Sequence, residues 1–403
     1  MVQTGLNWSA LLERKGGVLR SSAIRDLLSV TERPDVISFA GGLPAPELFP
    51  ADGLRAAFDA VLRDDPGGAL QYGPTPGHRP LRELVAERLG RRGVVCEADD
   101  VVITTGSQQA LDLVGRVLAR RGMRVLVETP SYVGALQAFA AREVSFAACP
   151  GDEDGPRVDA LRDRFGAGCA LLYTVPTFQN PSGGTMTLER RRELLASARD
   201  LGLPLVEDDP YAELRYDGEA VPPLRALPGG DDVIHLGTFS KVLSPGLRLG
   251  WVVAPREVTE RIVLAKQGAD LHTNELVQRA VVRFCRDNDL DAHVGTLCAA
   301  YRERRDAMVA ALAELMPAGT TWTRPEGGMF LWVTLPAGLE ALPLLADAVE
   351  RGVAFVPGTA FHIDGGGAGS LRLNFTNTAP ERIREGVARL AAALGRAGWP
   401  PES

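Results

Sequence analysis

The sequence predicts an α/β protein: a large, mostly parallel sheet with helices on both faces, joined to a smaller α+β domain. Three observations predict it. From about residue 100, short β-branched runs alternate with helical segments, the pattern of successive βαβ units. After a long helical stretch, the last ~85 residues read as three strands and a closing amphipathic helix. The length of 403 residues suits two domains.

Residues Met1 to about Pro50 read as irregular, apart from a short helix over Ser22–Val30 that Ser22 could cap. The Gly/Pro-rich segment 39–46 must be loop. Val101–Thr104 is a β-branched run and reads as a strand, followed by a helix over Gln108–Arg121. Strands at Arg124–Glu128, Val144–Ala148, Ala170–Thr174 and Pro204–Glu207 follow, with helices over Tyr132–Arg142 and Leu188–Leu201 between them. Val233–Gly237 and Leu249–Ala254 complete the large sheet. Helical periodicity then covers Glu257–Lys266 and Glu275–Ala313. The small unit has strands near Gly328–Val333, Ala354–Val356 and Ser370–Phe375, and a helix at Glu381–Leu394. The expected organisation is an N-terminal arm over 1–50 that joins the small domain, a large domain over 51–290, and a small domain over 291–403.

Composition excludes several classes. Lys plus Arg total 44 against 51 Asp plus Glu, a formal net charge of −7, which argues against a nucleic-acid-binding face. No apolar run approaches the ~18 residues of a membrane helix, and Met1–Ser9 has neither a basic nor an apolar leader segment. Five dispersed cysteines without a CxxC pair suggest buried thiols in a reducing compartment. The five histidines show no HExxH spacing, so no metal site is expected. The chain reads as a cytoplasmic enzyme.

Chemistry concentrates after the predicted strands. Residues 237–248 gather the hydroxyls of Thr238, Ser240 and Ser244 with Lys241 and Arg248 in one loop. Hydroxyls and an arginine among glycines suit a phosphate. A neutral lysine is a nucleophile toward a carbonyl carbon; a polar loop with a surface lysine is an equally good reading of this segment alone. Asp208 and Tyr211 lie three residues apart past another strand, and Asn180 stands in a turn after a third. A buried carboxylate can keep a ring nitrogen protonated while a phenol and an amide hold a ring oxygen, which a pyridinium electron sink requires. Singly, Asp208 reads as a cap or ion pair and Asn180 as a turn former. Ser107 and Gln108 open a helix, where backbone amides favour an anion. Tyr132 could stack on a flat ring or simply fill core.

With these residues in place, the chain resembles the fold-type I, class I/II pyridoxal-phosphate aminotransferases, from Ser21 to about Leu394, and most nearly their 2-aminoadipate and kynurenine aminotransferase subgroup. The resemblance is carried by residues 22–28, 38–50, 70–75, 104–114, 239–248, 265–273 and 324–330. It implies pyridoxal 5′-phosphate as cofactor, amino-acid and 2-oxo-acid substrates, and a homodimer with shared sites. It further implies Lys241 as the Schiff-base lysine and proton shuttle, and Asp208 as partner of the pyridine nitrogen. Asn180 and Tyr211 would hold the phenolic oxygen, and Tyr132 would stack on the ring. Ser107, Gln108, Thr238, Ser240 and Arg248 match phosphate contacts, and Tyr72 one supplied by the partner subunit. Arg372 matches the arginine for the substrate α-carboxylate, Arg25 one for a distal carboxylate, and Gly41 and Gly42 a close approach to substrate.

Trp251, Asn274, Asn374 and Thr376 depart from the subgroup's pattern and leave the amino donor open. The expected activity is ping-pong transfer of an α-amino group from 2-aminoadipate, or an aromatic or branched-chain amino acid, to a 2-oxo acid such as 2-oxoglutarate. The alternative is the same Schiff-base chemistry ending in elimination, cyclisation or oxidation. A non-catalytic sensor fused to a DNA-binding domain is a third reading, disfavoured because only about twenty residues precede the Ser21 block.

Overall fold

A computed structural model describes residues 35–166 and 168–396, together with Trp8. The Ser22–Val30 helix and Arg25 lie outside the described residues.

In chain order the strands are β1 (Ile37–Ser38), β2 (Val101–Thr104), β3 (Arg124–Thr129), β4 (Ser145–Asp152), β5 (Gly155–Pro156), β6 (Cys169–Thr174) and β7 (Leu205–Asp208). There follow β8 (Ile234–Thr238), β9 (Gly250–Val253), β10 (Thr321–Trp322), β11 (Phe330–Thr334), β12 (Val353–Ala354), β13 (Val356–Pro357) and β14 (Ser370–Asn374). The large sheet runs β2-β9-β8-β7-β6-β3-β4-β5. Its strands β8, β7, β6, β3 and β4 are parallel neighbours. The central strands β3, β6, β7 and β8 are almost fully buried because helices such as Ser107–Leu118 and Leu188–Leu201 cover the sheet, whereas β4, nearer its edge, is mostly half-buried or exposed. β9 is antiparallel to both neighbours, since the loop 239–249 is too short for a crossover helix.

The cap signals lie where the helix ends are. Thr187 Oγ1 accepts from Arg190 N at 3.3 Å to open Leu188–Leu201, and Gly202 closes it in the left-handed region at φ 62°. Four expectations change. The Glu275–Ala313 periodicity is two helices, Glu275–Asp287 and Leu290–Leu315, because Asn288 turns extended and Asp289 caps the second one. The helix expected over Gln108–Arg121 is Ser107–Leu118, ending where Ala119 becomes extended. The strand expected at Ala354–Val356 is two short ones: β12 pairs in parallel with β1, and β13 pairs with β14. Of the cysteines only Cys149 is fully buried. Helices Ala51–Asp64, Arg79–Arg91 and Ala341–Glu350 add cover that the sequence reading passed over.

A second sheet, β10-β11-β14-β13, is antiparallel throughout. Helix Leu290–Leu315 packs on the closing helix Pro380–Arg396 beside it. The β1–β12 pairing therefore ties the segment near residue 37 to the C-terminal part of the chain.

Candidate active site

One edge of the large sheet gathers the chemistry. The carboxyl ends of β2, β3, β6, β7 and β8 lead directly into Ser107, Tyr132, Asn180, Asp208 and Lys241. Because β9 runs the other way, its beginning brings Arg248 to the same edge. Open α/β sheets collect ligands there. A cavity of about 620 Å³ opens at this edge. Its wall includes Gly42, Ser107, Gln108, Tyr132, Asn180, Asp208, Tyr211, Thr238, Ser240, Lys241, Arg248 and Arg372. β14 supplies Arg372, so both sheets contribute to the site.

Lys241 Nζ donates to Gly42 O at 2.9 Å. Burial, then the charges of Arg372 and Arg248, pull its amine down to about 8. Of the two arginines, Arg372 contributes more than Arg248. Asp208, 2% exposed, has the opposite shift: burial raises its carboxyl to about 7, against the Tyr173 hydrogen bond that lowers it. Its Oδ2 accepts from Tyr173 Oη at 2.8 Å, and its Oδ1 has no partner among the described residues. A buried acceptor left open at a cavity suits a cationic N–H donor.

The anion cradle stands opposite. Gly106 caps the helix beginning at Ser107 with φ 75°, and a Cβ there would lie 2.6 Å from Arg248 Nη2. Ser107 Oγ is buried without a partner among the described residues. Thr238 Oγ1 donates to Leu249 O at 2.8 Å and accepts from Ser240 N at 3.0 Å, which sets the loop before Lys241. Gln108 Nε2 donates to Gly134 O at 2.8 Å, and the Tyr132 ring lies so close over Gly134 that a Cβ would meet its Cζ at 2.5 Å.

Arg372 is 7% exposed and stacks between Phe330 and Phe361, at 4.3 and 5.0 Å from the ring centroids. It donates to Asn180 Oδ1 at 2.7 Å and Ala40 O at 2.6 Å, with no carboxylate partner among the described residues. Burial lowers its guanidinium to about 10, so it remains cationic at neutral pH. Asn180 Nδ2 donates to Tyr211 Oη at 3.4 Å, and burial raises the Tyr211 phenol so that it keeps its proton.

Two predicted residues stand elsewhere. Tyr72 is 78% exposed and packs edge-on against His272. Gly41 adjoins Leu43, while its neighbour Gly42 reaches the cavity. Sequence reasoning missed Tyr173, which reads as core within a strand. It also missed fully buried Lys266, which donates to Asp270, Gln109 and Thr273 behind the cradle; Thr105 N in turn donates to Gln109 Oε1. The signal for that network was the 265–273 block itself.

The sequence profile of the class I and II aminotransferases matches residues 47–390. An aromatic-amino-acid aminotransferase of Thermococcus litoralis is 44% identical over 96% of this chain and 95% of its own. The 2-aminoadipate transaminase of Thermus thermophilus is 46% identical over 96% of this chain and 98% of its own. The crystal structure of the α-aminoadipate aminotransferase LysN from that organism, complexed with a phosphopyridoxyl-leucine, superposes with a TM-score of 0.89 at 44% identity, covering 97% and 99% of the two chains. This chain belongs to the class I and II aminotransferases. Its fold is fold type I, its cofactor is pyridoxal 5′-phosphate, and it transfers amino groups. The open Asp208 Oδ1, the open Ser107 Oγ, and the Gly106–Arg248 cradle fit that cofactor's ring nitrogen and phosphate. No helix among the described residues is long and apolar enough to cross a membrane.

Proposed function

We propose that the chain moves the α-amino group of 2-aminoadipate, or of an aromatic or branched-chain amino acid, to a 2-oxo acid such as 2-oxoglutarate, in two ping-pong half-reactions. The observation that carries this is Arg372. A buried guanidinium with no carboxylate partner among the described residues, held beside Asn180 in the cavity that Lys241 also lines, is a ready receptor for an α-carboxylate. Val133, Val356, Ala360 and Phe361 give that cavity an apolar wall, which suits apolar and aromatic side chains. The names of the two relatives point the same way.

When bound, pyridoxal phosphate supplies the electron sink that makes the substrate Cα–H acidic. Arg372 orients the substrate through its carboxylate, with Asn180 fixing the guanidinium. Lys241 takes the proton from Cα and returns it at the cofactor's C4′. Burial and the charges of Arg372 and Arg248 favour the neutral amine that this proton transfer needs. Asp208 holds the ring-nitrogen proton, and Asn180 and Tyr211 hold the phenolic oxygen. Tyr132 stacks on the ring. Ser107, Gln108, Thr238, Ser240 and Arg248 hold the phosphate.

The protein is a homodimer in this reading: Tyr72, exposed on its own chain, reaches the phosphate in the partner's site. Arg25 meets a distal substrate carboxylate, and Gly42 lets the chain pass close to substrate, with Gly41 beside it away from the cavity wall. The chain works in the cytoplasm, with its domains at 51–290 and 291–403 and the segment that holds β1 tied to the smaller one. Steady-state rates for a panel of amino acids against 2-oxoglutarate test the activity. Parallel double-reciprocal lines with 2-aminoadipate, tyrosine or leucine are expected. An amino acid consumed with no need for a 2-oxo acid would overturn it.

A further inference from the structure

The Asp208 carboxyl carries two oxygens with different surroundings. Oδ2 accepts the Tyr173 hydroxyl at 2.8 Å, while Oδ1, at the cavity, has no partner among the described residues. Among the described residues Tyr173 is the single side chain that hydrogen-bonds to Asp208. Register explains the meeting. Tyr173 lies opposite Val206 in the β6–β7 pairing, and Asp208, two residues beyond Val206, points to the same face. The Tyr173 ring is fully buried and is fixed edge-on by Phe139 at 5.9 Å. Phenylalanine would fill this place equally well by packing; the hydroxyl adds one donor aimed at one acceptor.

We propose that Tyr173 is a positioning residue: its hydroxyl occupies Oδ2, holds the Asp208 carboxylate in its charged form, and leaves Oδ1 as the single oxygen presented to the cofactor's ring nitrogen. This rests on the reading of Asp208 given above. The other titratable groups around Asp208 are Asp209, next along the chain; His235 on β8; Lys241 in the loop after β8; and Tyr132 and Tyr211 on the cavity wall. His235 is engaged with Glu207 at 3.1 Å, and Lys241 donates to Gly42, so neither replaces the Tyr173 donor. The Tyr173 phenol is raised well above its ordinary value, mainly by burial, and so stays a neutral donor.

The test compares holoenzymes with Tyr, Phe or 3-fluorotyrosine at position 173. Three quantities are measured: the release rate of cofactor, the pH profile of the amino-acid half-reaction, and the KM for the amino acid. Tyr173→Phe is expected to release cofactor about tenfold faster and to move the acid limb of the profile up by about one pH unit, because a hydrogen bond to a charged group is lost. The KM should stay unchanged, because Arg372 is untouched. The more acidic fluorophenol is a stronger donor and should move the acid limb down, a result independent of whether the Phe variant folds. Wild-type release and an unmoved acid limb in both variants would overturn the proposal. Asp208→Ala separates the two readings: if that variant keeps wild-type cofactor release and rate, the role of Asp208 itself falls.

Discussion

Arg372 Nη1 donates to Asn180 Oδ1 at 2.7 Å, so this buried cation is braced by the same amide that donates to the Tyr211 hydroxyl. One side chain thus links the substrate's anchor to the group proposed to hold the ring oxygen. Truncating the cation should separate binding from folding. Arg372→Met is expected to lower kcat/KM for any amino acid by about a hundredfold or more. Its melting temperature should fall only modestly, because an apolar side chain of similar length packs between the two phenyl rings and offsets part of the cost of leaving Asn180 Oδ1 and Ala40 O without their donor. Kinetics and a thermal melt of the one variant check both halves.

Asp208 predicts a pH signature in the cofactor-free protein. Its folded carboxyl titrates at about 7, above the ordinary 3.8. A carboxyl raised on folding contributes stability below about pH 4 and loses it as pH rises through 7, because the folded state binds more protons across that window. Asp208→Asn removes the titration. The difference in unfolding free energy, variant minus wild type, should therefore grow by about 2–3 kcal/mol between pH 5 and pH 8. Denaturant unfolding at the two pH values measures it.

The large sheet was legible because its strands are short apolar runs, such as Val101–Thr104 and Cys169–Thr174, that have no other stable use than burial on both faces. Lys241, Asp208 and Asn180 were legible because polar groups just past such runs have few structural reasons to be there. Tyr173 was not, since a tyrosine inside an apolar strand looks like core until the register brings it beside Asp208. Lys266 was hidden in a helix whose lysines normally face water. The break at Asn288 was missed because apolar spacing continues on both sides of it. Leu81, Val85 and Leu89 carry the helical spacing of Arg79–Arg91 in plain view and simply went unread.

The cradle depends on the missing side chain at Gly106. Any Cβ there meets Arg248, and φ 75° is strained for other residues. Gly106→Ala should weaken cofactor binding by about tenfold or more and cost about 1–3 kcal/mol of stability. Fluorescence titration of the cofactor-free protein and a thermal melt read these effects.

Trp251, which departs from the subgroup's pattern, packs against Phe239 at 5.1 Å and fills the space that Gly237 leaves; a Cβ at Gly237 would lie 2.4 Å from the indole. Gly237→Ala is expected to cost about 1–3 kcal/mol through overpacking. Trp251→Leu should recover most of that loss in the double variant, although alone it destabilises by leaving a cavity. Unfolding of the two single variants and the double variant measures the coupling.

The most direct test of the account is one half-reaction. The holoenzyme is mixed with 2-aminoadipate, tyrosine or leucine and no 2-oxo acid, while the visible cofactor band and the keto acid released are followed together. The band is expected to disappear with at least one of these donors, one keto acid to form per site, and Lys241→Ala and Arg372→Met to abolish both signals. A band that changes while ammonia or a cyclised or eliminated product forms in place of a keto acid would contradict it.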